Sequence, residues 1–214
     1  MSTIPAPPES AVIHVIDDEA PFRRSLLFLL ESAGWYAVGH ESALDFLATA
    51  PAFHPAGGCI VLDVRMPRLS GLELQRRLNA ADNPFPILFM TGHGDVELAV
   101  QAMKAGALDF LQKPFRDQPF LDAVERAVEY SREQHQASLR CSQARDMLTR
   151  LSPRETEVAR QLASGLSNKE IARLLNISDN TVHIHRQHIM EKTATSSAAE
   201  LARLILRADP AGLD

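Results

Sequence analysis

The chain has 214 residues, 45% of them hydrophobic and 23% charged, with a formal net charge of -5. That length allows two small domains or one of ordinary size, and no apolar run nears the roughly 20 residues that cross a bilayer. The negative total hides any basic footprint for nucleic acid, and the Pro-rich start, residues 1–10, lacks the basic and apolar regions of a secretion signal.

Residues 11–16 (AVIHVI) form an apolar run that stops at Asp17-Asp18-Glu19, which reads as a buried strand ending in acid. Residues 20–32 carry Phe22, Leu26, Leu27, Leu29 and Leu30 at helical spacing, and Gly34 closes that helix. A short strand is expected over 35–38. A helix over 42–50 is expected to turn Leu44 and Leu47 inward, with 51–58 as loop. In residues 59–63 (CIVLD) four apolar positions run into Asp63, and Pro67 and Gly71 follow. Such a run between breakers reads as a central parallel strand. A helix over 72–80 comes next, then a strand over 86–91 (PILFMT) ending in the Thr91 hydroxyl. Gly92-His93-Gly94 is loop, and Asp95 caps a helix that reaches Ala105 and stops at Gly106. A last short strand, 108–112, leads to Lys113-Pro114.

Strand and helix thus alternate five times. The expected fold class is α/β, a five-stranded doubly wound parallel sheet with right-handed crossovers. From about residue 118 the pattern becomes a single polar helix. A helix over 119–147 would span on the order of 40 Å, and its apolar spacing is too sparse for a coiled coil. Strand signals then vanish. Ser152-Pro153-Arg154-Glu155 and Ser167-Asn168-Lys169-Glu170 are capping boxes. Ser178 caps a third helix reaching Lys192, and Ser196 or Ser197 opens a fourth. The expected divisions are 10–128, a helical linker over 129–147, and an all-α four-helix domain over 148–210.

Asp17, Asp18 and Asp63 all fall at strand carboxyl ends, where open α/β sheets bind ligands. Carboxylates about 4 Å apart at an effective dielectric of 20 repel by roughly 4 kcal/mol per pair. Protons or a cation must relieve that, and oxygen-only donors suit Mg²⁺. Lys113 and Thr91 also end strands; an ammonium and a hydroxyl are what a phosphoryl group on Asp63 needs. Phe110 is an aromatic in a strand, equally a core ring or a moving one. His14 and His93 have no partner at ligand spacing and read as structural. Cys59 and Cys141 make no metal spacing and read as reduced thiols of a cytoplasmic protein.

The matching residues are Asp17-Asp18, Asp63-Val64-Arg65-Met66-Pro67 with Gly71, Thr91-Gly92, Phe110 and Lys113-Pro114. In these, about residues 10–130 resemble the receiver domain of bacterial two-component response regulators, a flavodoxin-like fold. The resemblance implies phosphorylation of Asp63 by a sensor histidine kinase. It implies Mg²⁺ held by Asp18, Asp63 and the backbone carbonyl of Arg65, with Asp17 acting through water. Lys113 would pair with the phosphoryl oxygens, the Lys113-Pro114 bond would commonly be cis, and Thr91 and Phe110 would form a switch. The rival, an Asp-nucleophile phosphatase of the haloacid-dehalogenase kind, needs a second Asp two residues after the nucleophile. Arg65 stands there instead.

In the tail, Val182 and Ile189 are seven apart and face inward. Asn180, His183, Ile184 and Gln187 face away, and Arg186, His188 and Lys192 add phosphate donors. A short helix, a tight turn and a polar helix make a helix-turn-helix. Leu151-Ser152-Pro153-Arg154-Glu155, Gly165, Asn168 to Ala172, Leu175, Ile177-Ser178, Thr181-Val182, His185, Ile189, Lys192 and Ala199-Glu200-Leu201 resemble the LuxR-type domain. The whole chain is thus similar to NarL/FixJ-type response regulators, of the FixJ branch. That implies double-stranded promoter DNA as ligand, a homodimer when phosphorylated, RNA polymerase as a partner, no membrane, and no enzymatic turnover. The contact set expected on DNA is Lys169, Asn180, Thr181, His183, Ile184, Arg186, Gln187 and Lys192. Many members of that type carry lysine where this chain has His183, whose neutral imidazole attracts phosphate less.

Overall fold

The structure, a computed structural model, describes residues 11–49, 56–81, 83–92 and 96–209. The Pro-rich leader, the loop at 51–55 and the stretch 93–95, with His93 and the Asp95 cap, lie outside the described residues. Two compact units divide between His135 and Gln136.

In the first unit five strands, β1 (Val12–Ile16), β2 (Tyr36–His40), β3 (Gly58–Asp63), β4 (Ile87–Thr91) and β5 (Asp109–Gln112), form one parallel sheet. The strand order is β2-β1-β3-β4-β5, so the order of strand addition reverses between β1 and β3 while every strand stays parallel. β2 runs on to His40, two residues past the expected end, because Gly39 and His40 continue the ladder against Val15 and Ile16. Four helices complete the alternation: α1 (Ala20–Ser32), α2 (Ala43–Thr49), α3 (Gly71–Ala80) and α4 (Val96–Lys104). Side chains alternate across the sheet as strand geometry requires. Ile13, Val15, Cys59, Val61, Leu88 and Met90 pack on one face with Leu26, Leu30 and Phe120. Ile16, Ile60, Leu62, Ile87 and Phe89 pack on the other with Phe46, Leu74 and Ala102.

α2 corrects one expectation. Leu44 is 43% exposed, and Phe46 is the buried residue at 2%. The inward stripe is Ala43, Phe46 and Leu47, so Leu47 faces inward as expected and Phe46 takes the place given to Leu44. The ring wins because it fills the space beside Phe85 and two histidines. His14 and His40 pack edge-on against Phe46, with ring centroids 5.4 and 5.1 Å away. These histidines have each other as partners: His14 Nδ1 lies 3.1 Å from His40 Nε2, and both are buried. Desolvation lowers the pKa of His14 to about 4, helped by His40. Burial also lowers that of His40, against the pull of Asp45 and with that of Arg23.

α5 (Asp117–Leu148) begins by burying Phe120, Ala123, Val124, Ala127 and Val128 against the sheet. It stays attached beyond that stripe. The Gly58 N–H donates to Ser131 Oγ at 3.3 Å, and Arg132 Nε donates to the Ala56 carbonyl at 2.7 Å.

The second unit gathers α6 (Pro153–Ala163), α7 (Asn168–Leu175), α8 (Asp179–Thr193) and α9 (Ala198–Ala208) around Val158, Leu162, Ile171, Val182, Ile189 and Leu201. The end of α5 joins them: Ala144 is buried against Leu204 and Ala208, and Arg145 Nε donates to the Ala208 carbonyl at 2.9 Å. Every one of these four helices starts on a serine. Ser152, Ser167, Ser178 and Ser197 each accept a backbone N–H three residues on, and the first two complete capping boxes with Glu155 and Glu170. α7 ends on Asn176 in the left-handed region, φ 55°, which makes the tight turn into α8.

Candidate functional site

The carboxyl ends of β1 and β3 bring Asp17 and Asp63 to one edge of the sheet. Asp17 is fully buried and Asp63 is 7% exposed, whereas Asp18 is on the surface. Lys113 follows β5 directly and reaches back. Its Nζ donates to Asp17 Oδ2 and to Asp63 Oδ1, each at 2.7 Å. Backbone groups satisfy the other oxygens: the Glu19 N–H donates to Asp17 Oδ1 at 2.8 Å and the Arg65 N–H to Asp63 Oδ2 at 3.0 Å. The Lys113-Pro114 peptide is cis.

The expected relief of three converging carboxylates therefore takes another form. Asp18 stands out in solvent, and the single Lys113 ammonium bridges the other two. Burial pushes the Asp63 carboxyl above the usual range. The hydrogen bond and charge of Lys113 oppose that rise, Asp17 adds to it, and the Arg65 N–H lowers it again. For Lys113, burial favours the neutral amine, but its bonds to Asp17 and Asp63 outweigh this and raise its pKa.

Asp18 and the Arg65 segment share a hollow with Val64, Met66, Pro67 and Ser70. Thr91 is buried at the end of β4, and its carbonyl accepts the Lys113 N–H at 2.6 Å. Phe110 is half-buried and packs against the core that holds Phe89 and Leu98. Gly71 closes the turn after Asp63. Its N–H donates to the Val64 carbonyl at 3.0 Å, and a Cβ there would run into the Asp63 carbonyl oxygen.

In the helical unit, α8 has distinct faces. Val182, Ile189 and Thr193 are buried, while Asn180, His183, Ile184 and Gln187 are exposed and Arg186 is half-buried. Lys169 is exposed on α7. Two members of the expected contact set are engaged within the fold. The Thr181 N–H and hydroxyl bond Ser178 Oγ at 3.0 and 2.7 Å. Lys192 Nζ donates to both oxygens of Glu155, at 2.9 and 2.6 Å, and the Glu155 side chain is 5% exposed. The Lys192 hydrogen bond, against burial and with help from Ser152, holds the Glu155 carboxyl down at about 2. His188 Nδ1 lies 3.8 Å from the same carboxylate. From Gln136 onward eleven Lys and Arg face nine Asp and Glu, while the residues before it carry eleven against eighteen. The tail is thus mildly basic, and the acidic first unit sets the sign of the total.

Comparison with known proteins matches the same two parts. The response regulator receiver domain family covers residues 13–125, and the luxR family of bacterial regulatory proteins covers residues 149–205. The transcriptional regulatory protein FixJ of Bradyrhizobium diazoefficiens is 48% identical over 199 residues, 92% of this chain and 95% of that protein. The chain belongs to the FixJ-type response regulators.

FixJ of Azorhizobium caulinodans is 46% identical over 207 residues, 97% of each chain. Two solved structures agree. The response regulator StyR superposes with a TM-score of 0.79 at 41% identity, over 92% of this chain and 98% of that one. Full-length FixJ from B. japonicum gives 0.58 at 45% identity, over 92% and 97%. This response regulator is a phosphorylation-activated, DNA-binding transcription regulator of a two-component system. Its receiver implies a kinase partner and its helix-turn-helix implies DNA binding. No helix among the described residues is long and apolar enough to cross a membrane.

Receivers of this kind bind Mg²⁺. Among the described residues no group of three or more His, Cys, Asp or Glu side chains is placed to hold a metal. Mg²⁺ does not require one, because it takes one or two carboxylates and keeps several waters. The donors at hand are all oxygens, and the hollow beside Asp18 has room for water, so the donor chemistry fits.

Sequence reasoning missed four participants in this response regulator. Phe22, on α1, lies with its ring centroid 4.3 Å from Lys113 Nζ. Arg23 Nη1 donates to the Asp17 carbonyl at 2.5 Å. Glu155 is the partner of Lys192, and His40 is the partner of His14. None is visible as a motif, although Glu155 was legible as a capping residue.

Proposed function

We propose that Asp63 is the phosphoryl acceptor, and the observation that carries this is the ammonium of Lys113 held 2.7 Å from its Oδ1. A carboxylate with little water around it is a stronger nucleophile, and the adjacent cation stabilises charge that builds on an incoming phosphoryl group. An Asp63 oxygen attacks phosphorus in the phosphohistidine of a sensor kinase. The N–P bond breaks, its electron pair returns to the imidazole nitrogen, and that nitrogen takes a proton. Asp63 is left as a mixed anhydride. Asp18, Asp63 and the Arg65 carbonyl would hold Mg²⁺, with Asp17 acting through water, and the ion would supply positive charge against the phosphoryl oxygens. Lys113 then exchanges a carboxylate oxygen for a phosphoryl oxygen. Thr91 and Phe110 sit on the two strands beyond and report the new charge to α4 and β5.

The reading extends to the rest of the chain. The proposed functional divisions are a receiver over 10–128, a helical linker over 129–147 and a DNA-binding domain over 148–210. Phosphorylation favours a homodimer, whose paired α8 helices meet two half-sites of promoter DNA. Asn180, His183, Ile184 and Gln187 face base edges, and Lys169 and Arg186 contact phosphates. Thr181 and Lys192, occupied in a cap and an ion pair, contribute by holding α8 in place. RNA polymerase is a partner, the protein works in the cytoplasm, and it turns over no substrate of its own. The test compares the chain with its Asp63→Asn variant in acetyl phosphate and Mg²⁺. Acid-stable, base-labile acyl phosphate and phosphate-dependent promoter shifts are expected in the first and absent in the second. Equal labelling of both would refute the assignment.

A further inference from the structure

The Lys113 ammonium has three N–H donors. Two are spent on Asp17 Oδ2 and Asp63 Oδ1. The Phe22 ring centroid is 4.3 Å from Nζ. A cation within about 6 Å of a ring centroid is attracted by the negative face of the π system. The third donor direction is therefore covered by an aromatic face, and the Lys113 side chain is only 19% exposed.

The ring is itself held. Phe22 packs edge-on to Phe115 with centroids 5.9 Å apart, and Phe115 stacks on Phe120 at 5.3 Å with planes 13° apart. Phe120 is fully buried at the start of α5. The chain also ties the ring to the acidic site. Phe22 lies in the first turn of α1, five residues after Asp17, and Arg23 beside it bonds the Asp17 carbonyl. One short turn thus supplies Lys113 with both a carboxylate and a π face.

We propose that Phe22 is a positioning residue for phosphoryl transfer, holding the Lys113 ammonium on the line between Asp17 and Asp63. Without the ring, Nζ keeps its two carboxylates but gains a free N–H and the freedom to swing toward water. The time it spends where a phosphoryl oxygen would meet it then falls. This inference rests on Asp63 being the phosphoryl acceptor.

The experiment measures acyl phosphate formation from acetyl phosphate in Mg²⁺, using the full chain with phenylalanine, leucine, tyrosine or fluorinated phenylalanines at 22. Fluorination drains the ring quadrupole step by step at nearly constant shape, so it separates the π contact from packing. Phe22→Leu is expected to slow formation by about 2- to 5-fold, the range a partly exposed cation–π contact supports. Phe22→Tyr is expected to recover most of that loss, and mono-, di- and trifluorination to slow the rate progressively. The Lys113 ε-methylene proton resonance, shifted by the ring current in the parent chain, is expected to return toward its free value in Phe22→Leu. A rate indifferent to fluorination, or equal losses with leucine and tyrosine, would overturn the proposal while leaving Asp63 as acceptor. If the parent chain forms no acyl phosphate at all, the acceptor assignment fails and Phe22 loses its role with it.

Discussion

Acidifying the receiver loads a proton onto a pair of histidines that the fold keeps neutral. His14 is 4% exposed and His40 is 2% exposed, in contact with each other and ringed by Phe46 and Phe85. The pKa of His14 drops from 6.5 to about 4 on folding. Between those values the unfolded chain binds a proton that the folded chain refuses. Stability from this group is complete above about pH 6.5 and is lost as pH falls toward 4. From pH 7.5 to 5.0 the loss works out at about 2 kcal/mol. His40 shifts in the same direction and adds to it. Asp63, whose carboxyl is raised by burial, works the other way, so the comparison is cleanest in an Asp63→Asn background. Trp35 is the chain's single tryptophan and packs against the core of the first unit, so its emission follows that unit's urea unfolding. His14→Phe keeps an aromatic ring against Phe46 and Phe85 and cannot titrate. Its pH slope over this interval should shrink by about 2 kcal/mol relative to the parent. Equal slopes would show that His14 does not carry the effect.

Other substitutions have defined expectations. Glu155→Ala frees Lys192 and removes the reciprocal half of the α6 capping box while Ser152 stays as cap, so a loss of about 1–3 kcal/mol is expected in hydrogen exchange from α6 and α8. Lys192→Met leaves the buried Glu155 carboxylate with its Ser152 N–H but without its lysine, and should cost a similar amount at pH 7. Because the Glu155 carboxyl is held at about 2 against an ordinary 4.5, that cost should shrink as pH falls through this window. In α2, Phe46→Ala should cost about 3–5 kcal/mol, while Leu44→Ala at its exposed position stays within about 0.5 kcal/mol by thermal melting. On DNA, Arg186→Ala should weaken binding to all sequences and flatten the salt slope by about one, whereas Gln187→Ala should cost about 1–3 kcal/mol at one base pair only. Footprints and salt slopes equal to the parent's in both variants would refute the docking of α8.

The parallel sheet was legible because its signals are short-range. Runs such as residues 59–63 and 86–91 are too apolar and too strongly punctuated to be anything but buried strands, and acids or a hydroxyl at their ends mark the functional edge. The serines at 152, 167 and 178 announce helix starts within four residues. What sequence could not supply was direction in space. Leu44 and Phe46 both sit on a plausible stripe of a seven-residue helix, and only the cavity beside Phe85 and the histidine pair chooses between them. Likewise Asp17, Asp18 and Asp63 are equivalent as letters. The turn after β1 buries one and exposes its neighbour, and Lys113, fifty residues beyond Asp63, selects its two partners by reach. Lys192 read as a free cation because the carboxylate that holds it lies thirty-seven residues upstream.

The serine that opens each of the last four helices has a consequence for how such proteins diversify. Boundaries set by a hydroxyl and the amide three positions along do not depend on what lies further up the chain. A segment with its punctuation written into itself can be cut from one receiver and joined to another without losing its shape. Recombination between regulators then needs only a tolerant joint, and the long polar helix before Ser152 is a natural place for one.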